Sequence, residues 1–429
     1  MRTSTAAPTR PATPLRIALT TIFATSLEWY DFFIYGSASA LVFGKLFFPD
    51  AGPVVGVLAS FATFAVGFAA RPLGGILFGH LGDKRGRKPM LVTTVLLAAA
   101  ATALVGLAPG YATIGVAAPV VLVLLRILQG VAIGGQWGSA MLLGAEHAAP
   151  RRRGLFASFA QMGVPVGVVV ANLVFLGLGA ALPEPAFLAW GWRAAFLVGG
   201  LLGLVTLYLT TRVEDTPEFE RIRHDRSRAR APLAAAIRRR PGAIAACTAA
   251  NIAVNGTFYL LVTGILDYAT RDLHLTKNSV LATTIISMLV SAACIPAFAL
   301  LSDRVGRRVV FVSGTVALVL WAVPMFLLIE TARIPLIGIA LAVGQICVAA
   351  MMGTAGAMFA DAFEPEIRYS GASLAYQLSS VLGGGIAPFL MVLLLTTTGT
   401  PLSISGYIIA IAAIALAGVT FLRPATRSA

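Results

Sequence analysis

The sequence has little charge. Only 12% of its 429 residues are Asp, Glu, Lys or Arg, whereas 58% are hydrophobic, and the mean hydropathy is +0.86. A typical soluble domain carries about 25% charged residues, so this composition excludes a soluble globular protein. It predicts an integral membrane protein that contacts the lipid bilayer along most of its surface.

Cysteine and histidine are also scarce. The cysteines fall inside apolar segments without paired spacing, and the histidines lie in or beside loops. These residues are Cys247, Cys294, Cys347, His80, His147, His224 and His274. They form no disulfide framework, no metal-ligand spacing and no nucleophile–base arrangement. The sequence therefore predicts a protein that is not an enzyme and that needs no metal or organic cofactor.

The basic residues are unevenly distributed and give the chain a net charge of +14. One set of alternate loops and tails holds most of them, including segments 84–88 and 151–153 and the arginines from Arg212 to Arg240. The other set holds only Lys45, Arg193, Arg271, Lys277 and Arg333. The positive-inside rule then predicts an inner-membrane protein with both termini in the cytoplasm. The basicity fits contact with anionic lipid and not with nucleic acid.

Twelve apolar segments are long enough, at about 1.5 Å per residue, to cross the ~30 Å hydrocarbon core of a bilayer. They cover residues 16–43, 53–79, 89–109, 117–144, 154–180, 193–211, 242–269, 278–301, 309–329, 335–360, 370–396 and 402–422. The predicted fold is therefore an all-α integral membrane protein with about 12 transmembrane helices in two six-helix repeats.

The predicted organisation has five parts. These are a disordered cytoplasmic N-terminus (1–15), an N-terminal six-helix half (16–211), a cytoplasmic linker with short helices (212–241), a C-terminal six-helix half (242–422) and a cytoplasmic tail (423–429). Within the linker, Thr216 before Pro217 is typical of a helix start. The sequence gives no sign of an oligomer, and we expect a monomer.

A loop motif occurs once in each half. The pattern Asp-x-x-Gly-basic-basic follows the second segment of both halves, in 79–88 and 301–308. Internal duplication of six spans is typical of a transporter, whereas a channel needs neither the repeat nor the loop motif. An acid beside a cationic cluster can hold two halves together at one membrane face, so these loops predict a cytoplasmic gate. Its residues are Gly79, Asp83, Arg85, Gly86, Arg87, Asp303, Gly306 and Arg307.

Two acids lie in the middle of the first apolar segment. Glu28 and Asp31 are three residues apart and therefore share one helix face near the bilayer midplane. An ionised carboxylate at this depth costs about 2.5–3.5 kcal/mol, so each must be protonated, paired with a cation or exposed to a wet cavity. The pair predicts a proton-binding site. The alternative is a structural carboxylate that bonds a neighbouring helix.

Two arginines also lie at membrane depth. Arg71 is in the second segment and Arg126 in the fourth, where rise per residue places it near the height of Asp31. Buried arginine is suited to two-pronged capture of a carboxylate, from the protein or from a ligand. Both arginines are therefore candidates to bind a carboxylate, and by height Asp31 is within reach of Arg126. A permanent salt bridge is the alternative.

Further polar and aromatic side chains at membrane depth are candidate substrate ligands. Asn251, Asn255 and Tyr259 are four residues apart and form a stripe on an otherwise apolar helix, which predicts either a cavity face or interhelical hydrogen bonds. The other candidates are Gln136, Gln161, Gln345, Tyr376 and Gln377, with Tyr30, Tyr35 and Trp137 as flat walls.

Several stretches resemble a known family. The loop 79–88 and the segment Leu122-x-x-x-Arg126-x-x-Gln129-Gly130 are similar to signatures of the major facilitator superfamily. Segments 28–32, 70–75, 134–138, 216–219 and 368–371 resemble its metabolite:proton symporter family. The resemblance implies proton-coupled carriage of shikimate, 2-oxoglutarate, citrate or zwitterionic osmolytes. It also implies that the first and fourth helices of each half line the cavity, where Arg126 would switch between Asp31 and a substrate anion.

One position departs from that family. Gln136 stands where the family usually has Glu, and an amide does not titrate. Proton transfer at this position is therefore in doubt, which leaves Glu28, Asp31 and Glu146 as carriers.

The predicted function is proton-coupled uptake of a small organic acid or related metabolite by alternating access, with H+ as the coupling ion. Three alternatives stay open. The first is a proton-coupled exporter: antiporters of the superfamily that this chain resembles carry a fifth-helix motif whose glycine spacing Gly154, Gly163 and Gly167 match, but Val168 stands where that motif has Pro. A facilitator would follow from Gln136, and a non-transporting receptor would need a larger output domain than the linker and tail provide.

Overall fold

The computed structural model describes residues 14–85, 87–146, 153–212, 232–364 and 367–422. Twelve main helices order this part of the chain. They are α1 (Pro14–Ala38), α2 (Gly52–Arg85), α3 (Arg87–Leu107), α4 (Ala117–Glu146), α5 (Arg153–Ala181), α6 (Trp192–Arg212), α7 (Pro241–Tyr259), α8 (Lys277–Val305), α9 (Arg307–Glu330), α10 (Ile334–Ala360), α11 (Arg368–Ser379) and α12 (Leu402–Phe421).

Short π-helical turns extend four of these helices. Ser39–Phe43 continues α1 into Gly44–Phe47, Phe187–Gly191 precedes α6, Leu260–Gly264 continues α7 into Ile265–Arg271, and Ser380–Gly385 continues α11 into Ala387–Thr398. The remaining short pieces are Pro49–Ala51, Tyr111–Ile114, Glu184–Ala186 and a linker helix, Pro232–Arg239. Single π-turns inside helices often mark functional positions because they redirect the side chains that follow.

The twelve-helix, all-α membrane fold is confirmed. Ten helices within the described residues are long and apolar enough to cross a membrane, and the apolar part of α3, Val92–Leu107, is shorter. Helix α1 completes the set of twelve. Because the chain crosses an even number of times, Pro14 and Leu422 lie at the same end of the bundle, which we call the termini end. Residues 1–13, the start of the linker at Thr216 and residues 423–429 lie outside the described part.

The helices pack as two groups, α1–α6 and α7–α12. In the first group α1 packs on α5, α2 and α3 pack on α4, and α3 packs on α6; in the second, α7 packs on α11 and α12, and α10 packs on α8 and α9. The two groups meet along α5 with α8 and along α2 with α11. Residues that α2 directs toward α11 and α7 therefore lie at the seam between the groups.

Glycine lets α2 and α4 approach until their backbones touch. A Cβ at Gly74 would lie 1.9 Å from the Val131 carbonyl oxygen, and one at Gly134 would lie 1.9 Å from the Arg71 carbonyl oxygen. Without a hydrophobic driving force between helices in lipid, small residues at contacts give the tight packing that holds a bundle together. This contact fixes α2 against α4 beside both buried arginines.

Candidate functional site

An aromatic cluster lies where α1, α2 and α7 meet. It consists of Phe32, Phe33, Phe64, Phe68 and Tyr259, and each is at most 2% exposed. The ring centroids of Phe32 and Phe68 are 4.5 Å apart, and those of Phe68 and Tyr259 are 5.1 Å apart, both edge to face. The cluster joins the first helix group to the second, because Tyr259 comes from α7 and the phenylalanines from α1 and α2.

Arg71 reaches this cluster from α2. It is 2% exposed, and its Cζ lies 4.2 Å from the centre of the Phe32 ring and 4.6 Å from that of Phe68. Its guanidinium also lies near the Tyr259 hydroxyl. Cation–π contacts in a desolvated site are worth about 2 kcal/mol. Arg71 therefore links α2 to α7 through aromatic groups.

Arg126 approaches the Phe32 ring from α4. It is fully buried, and its Cζ lies 4.0 Å from the centre of the Tyr35 ring and 4.3 Å from that of Phe32. Its Nη1 donates to the Gln129 Oε1 at 2.6 Å. Its Nε and Nη2 have no hydrogen-bond partner among the described residues. A buried guanidinium with two such donors is prepared to bind an anion.

Gln129 orients Arg126. Its Nε2 donates to the Thr102 hydroxyl on α3 at 2.7 Å, so its carbonyl oxygen is the atom left for the arginine. Sequence reasoning quoted Gln129 in a motif without giving it a role. Gln129 is three residues after Arg126, so both lie on one helix face, and this spacing predicts that their side chains interact.

Asp31 lies close to the same group of residues. It is 7% exposed, and a Cβ at Gly199 of α6 would lie 2.6 Å from its Oδ1 and 2.9 Å from the Cγ2 of Thr102. Asp31 also lies within electrostatic range of Arg126. Asp31 and Arg126 therefore lie in one region of the first helix group, together with Thr102 and Gln129, on the side of α1 that faces α3 and α6.

The predicted aromatic walls divide between two places. Tyr30 donates its hydroxyl to the Ala195 carbonyl on α6 at 2.9 Å and is fully buried. It faces the interior of the first group. Tyr35 shares a 2.7 Å hydrogen bond with Thr63 and stacks under Arg126. Phe32 and Phe33, which sequence reasoning left without a role, occupy the seam instead, because α1 turns these neighbouring positions toward Tyr259.

The polar stripe of α7 also divides. Asn251 donates to the Ser379 hydroxyl at 2.8 Å, and Asn255 donates to Ser379 at 3.1 Å and to Ser380 at 3.2 Å. Both amides therefore bond α11 within the second group, which is the interhelical alternative. One turn further on, Tyr259 joins the aromatic cluster.

The remaining candidates come from three helices: Gln161 from α5, Gln345 from α10, and the neighbours Tyr376 and Gln377 from α11. Gln345 on α10 is fully buried, and neither its amide nitrogen nor its amide oxygen has a partner among the described residues. Gln377 on α11 is 4% exposed, and its Oε1 likewise lacks a partner in the described part. Gln161 and Tyr376 are half-buried. Gln345 is the one of the four with the most unused hydrogen-bonding capacity.

Several predicted site residues fall on side chains that the structure does not describe. These are Glu28, Gln136, Trp137, Gly79, Asp83, Arg85, Gly86 and Arg87. Their predicted roles stay predictions.

In the predicted gate of the second half, Arg307 pairs with an acid from outside its own loop. Arg307, at the start of α9, forms an ion pair with Asp361 after α10 and donates to the Ala357 carbonyl at 3.4 Å. Asp303 is exposed at the end of α8, and Gly306 takes the positive φ of 99° that turns the chain between the helices. Arg307 of the loop therefore pairs with Asp361, the residue that follows α10, and not with Asp303 of its own loop.

A second acid at this end holds the linker helix. Glu364 lies 3.5 Å from Arg240 and 3.9 Å from Arg239, nitrogen to oxygen. Sequence reasoning missed Asp361 and Glu364, although acids are rare in this chain and both follow a predicted span.

A bundle of twelve apolar helices, in two groups that meet around buried arginines, defines a membrane transporter. The comparisons with known proteins agree. A family model described as "Sugar (and other) transporter" matches residues 17–251, and one described as "Major Facilitator Superfamily" matches residues 248–429. The chain belongs to the major facilitator superfamily.

Its relatives are named for several solutes. The "Shikimate transporter" of Escherichia coli (strain K12) is 38% identical over 89% of this chain and 88% of that protein. The "Inner membrane metabolite transport protein YhjE" of the same organism is 35% identical over 90% and 88%. A glycine betaine/proline/ectoine/pipecolic acid transporter of Dickeya dadantii (strain 3937) is 35% identical over 95% and 83%.

Solved structures share the fold at low identity. The proton:xylose symporter XylE bound to a bromodeoxyglucose has a TM-score of 0.72 at 14% identity, over 94% of each chain. The inward-open xylose transporter XylE from E. coli has a TM-score of 0.69 at 15% identity, over 96% of this chain and 97% of that one.

Proposed function

We propose that this chain imports a small carboxylate-bearing metabolite together with a proton. The observation that carries the proposal is Arg126: a buried guanidinium with two donors unpartnered in the described part, within electrostatic range of Asp31. A carboxylate substrate can take those donors, and the carboxyl of Asp31 can take a proton as Arg126 turns to the substrate.

The mechanism proposed here is alternating access. With Asp31 protonated, Arg126 is free to bind the substrate carboxylate, and Arg71 adds a second positive charge across the Phe32 ring. The helix groups then rock about the seams of α5 with α8 and of α2 with α11. When the site opens to the cytoplasm, loss of the proton returns Arg126 to Asp31 and weakens its hold on the substrate.

The aromatic cluster helps to choose between acid and zwitterion. Aromatic rings bind quaternary ammonium groups, and some relatives are named for betaine and proline. Here, however, the faces of Phe32, Phe68 and Tyr35 already carry arginine guanidinium groups. A second cation there would be repelled, so the site favours an anion, as in the relative named for shikimate.

The exporter alternative rested on the glycines of α5. A Cβ at Gly163 would lie 2.4 Å from the Cβ of Thr25, and one at Gly167 would lie 2.8 Å from the Cβ of Trp29. Both glycines are therefore needed for packing α5 on α1. This packing explains them without a special role in export.

Several further points belong to the same proposal. The coupling ion is H+. The protein lies in a bacterial inner membrane with both termini on the cytoplasmic side. The working unit is a monomer, and its two moving halves are residues 16–211 and 242–422. The orientation is supported by the basic residues near the termini end, including Arg239 and Arg240.

The test is uptake of labelled shikimate, 2-oxoglutarate, citrate and betaine into proteoliposomes, with and without an inward proton gradient. We expect gradient-driven accumulation of an acid that a protonophore abolishes. Asp31→Asn should abolish accumulation and leave exchange across the membrane partly intact, whereas Asp50→Asn, at an exposed acid on the surface, should change neither. Full gradient-driven uptake by Asp31→Asn would refute the assignment.

A further inference from the structure

A cavity with several charged side chains in its lining lies at the end of the bundle away from the termini. Its volume is about 730 Å³, within the range of small-molecule sites. The first helix group contributes the end of α1 and the loops around it, and the second contributes the end of α7 and the start of α8. Five charged side chains line it: Lys45, Glu184, Asp267, Arg271 and Lys277.

One lysine from each helix group lies near the carboxylate of Glu184. The Nζ of Lys45 lies 3.7 Å from the Oε1 of Glu184. Lys277, the first residue of α8, lies within electrostatic range of both Glu184 and Lys45, and its Nζ lies 3.7 Å from the centre of the Phe187 ring. This trio therefore carries a surplus positive charge that faces the cavity.

Asp267, the other acid that lines the cavity, is already paired with Arg271. Arg271 donates its Nε to both oxygens of Asp267, at 3.4 and 3.2 Å. Its Nη2 lies 2.9 Å from Asp272. Asp267 is 1% exposed and so held in place. It therefore does not neutralise the lysines.

The pair of Lys45 and Glu184 is easily exchanged. Their side chains are 64% and 69% exposed, and exposed pairs contribute only about 0–1 kcal/mol. Lys277, by contrast, is held at the seam: a Cβ at Gly179 of α5 would lie 3.1 Å from its Cε. A carboxylate that enters the cavity therefore meets one ammonium group that packs at the seam and one that is mostly exposed.

We propose that this cavity is an entry site for the substrate, where Lys45 and Lys277 hold the carboxylate of an organic anion in place of Glu184. The inference rests on the proposed import of an acid and places a capture step before the central arginines. Because the two lysines come from different helix groups, the anion is bound while this end is closed and is passed inward as the groups part.

The test uses charge variants that act in opposite directions. Lys45→Gln and Lys277→Gln should each raise the KM for shikimate uptake into proteoliposomes roughly three- to tenfold at low salt, with kcat unchanged, and the difference should shrink as salt is added. Glu184→Gln should lower KM, because the lysines lose their internal competitor. Lys45→Arg and Lys277→Arg should keep the wild-type KM.

A structural role for these residues predicts a different pattern. If the trio only holds the loops together, lysine and glutamate variants alike should weaken uptake; a shared direction, or no change in KM, overturns the inference. Shikimate binding to the purified protein, followed by thermal shift without a gradient, separates the two proposals. Lysine-dependent binding without gradient-driven uptake would refute the proposed function alone, and gradient-driven uptake that ignores the lysines would refute the entry site alone.

Discussion

The guanidinium carbons of Arg71 and Arg126 lie 4.2 and 4.3 Å from the centre of one phenyl ring, that of Phe32. Two like charges in a membrane interior repel, and the ring's electron-rich faces offset part of that cost. Phe32 comes from α1, one residue after Asp31, so movement of this helix shifts a ring that both arginines contact.

Removing this ring should damage both arginine sites. In Phe32→Leu we expect uptake to fall at least tenfold and the protein to lose about 2 kcal/mol or more of stability, because contacts of that size are lost in a desolvated site. Phe32→Tyr keeps the ring and should retain most activity. Thermal unfolding in detergent and initial uptake rates measure the two effects. Equal activity of the Leu and Tyr variants would show that the ring is simple packing.

Gly67 should tolerate no side chain. A Cβ there would lie 2.3 Å from the Arg126 Nε, so Gly67→Ala must displace the arginine or part α2 from α4. Overpacking of this kind costs about 1–3 kcal/mol, and we expect uptake to be lost as well. Gly177→Ala is the matched control, because Gly177 is also helical and its Cβ would meet nothing within 4 Å. Comparable losses in both variants would contradict the prediction.

Gln129 should not be replaceable by Glu. Its Oε1 accepts from Arg126 at 2.6 Å, so Gln129→Glu would give the arginine a permanent carboxylate in competition with Asp31 and the substrate. We expect normal folding, weaker substrate binding and reduced gradient-driven uptake. Gln129→Met, which removes the acceptor without adding charge, should be less harmful to binding. Binding followed by thermal shift and uptake followed by label distinguish the two variants.

The asparagines of α7 should act on stability more than on substrate. Asn255 donates to Ser379 and Ser380, and such interhelical bonds average about 0.6 kcal/mol with a maximum near 1.7. Asn255→Ala should therefore lower the unfolding temperature by a few degrees with the KM nearly unchanged. A large rise in KM with unchanged stability would return Asn255 to the substrate site.

Arg307 and Asp361 should depend on each other. Both Arg307→Asp and Asp361→Arg break the ion pair and place like charges together, so each should slow uptake. The charge-swapped double variant restores opposite charges and should recover part of the rate. Because the pair is partly exposed, we expect a coupling energy of about 0.2–1 kcal/mol in a double-mutant cycle. Additive losses in the double variant would show that the two residues do not act as a pair.

Long apolar segments made the fold predictable, because in the bilayer the backbone N–H and C=O groups of each segment must bond one another, as they do in a helix. The fold class and the superfamily are both confirmed. The prediction of buried arginines near the acid of α1 followed from rise per residue, which gives depth along a helix. The same reasoning gives no direction around the bundle. For that reason the sequence predicts a ligand wall at Tyr30, whose hydroxyl donates to α6, and predicts no role for Phe32 and Phe33, which pack at the seam.

The linear pattern of residues predicts local features: where helices begin and end, which of their residues are polar at membrane depth, and which loops are basic. Which of these residues lie next to each other depends on how the helices pack. Asp361 reaches Arg307 and Glu184 approaches Lys277 across long stretches of chain. Such contacts depend on helix rotation and close packing at glycines such as Gly67, Gly179 and Gly199, and a linear pattern does not encode them.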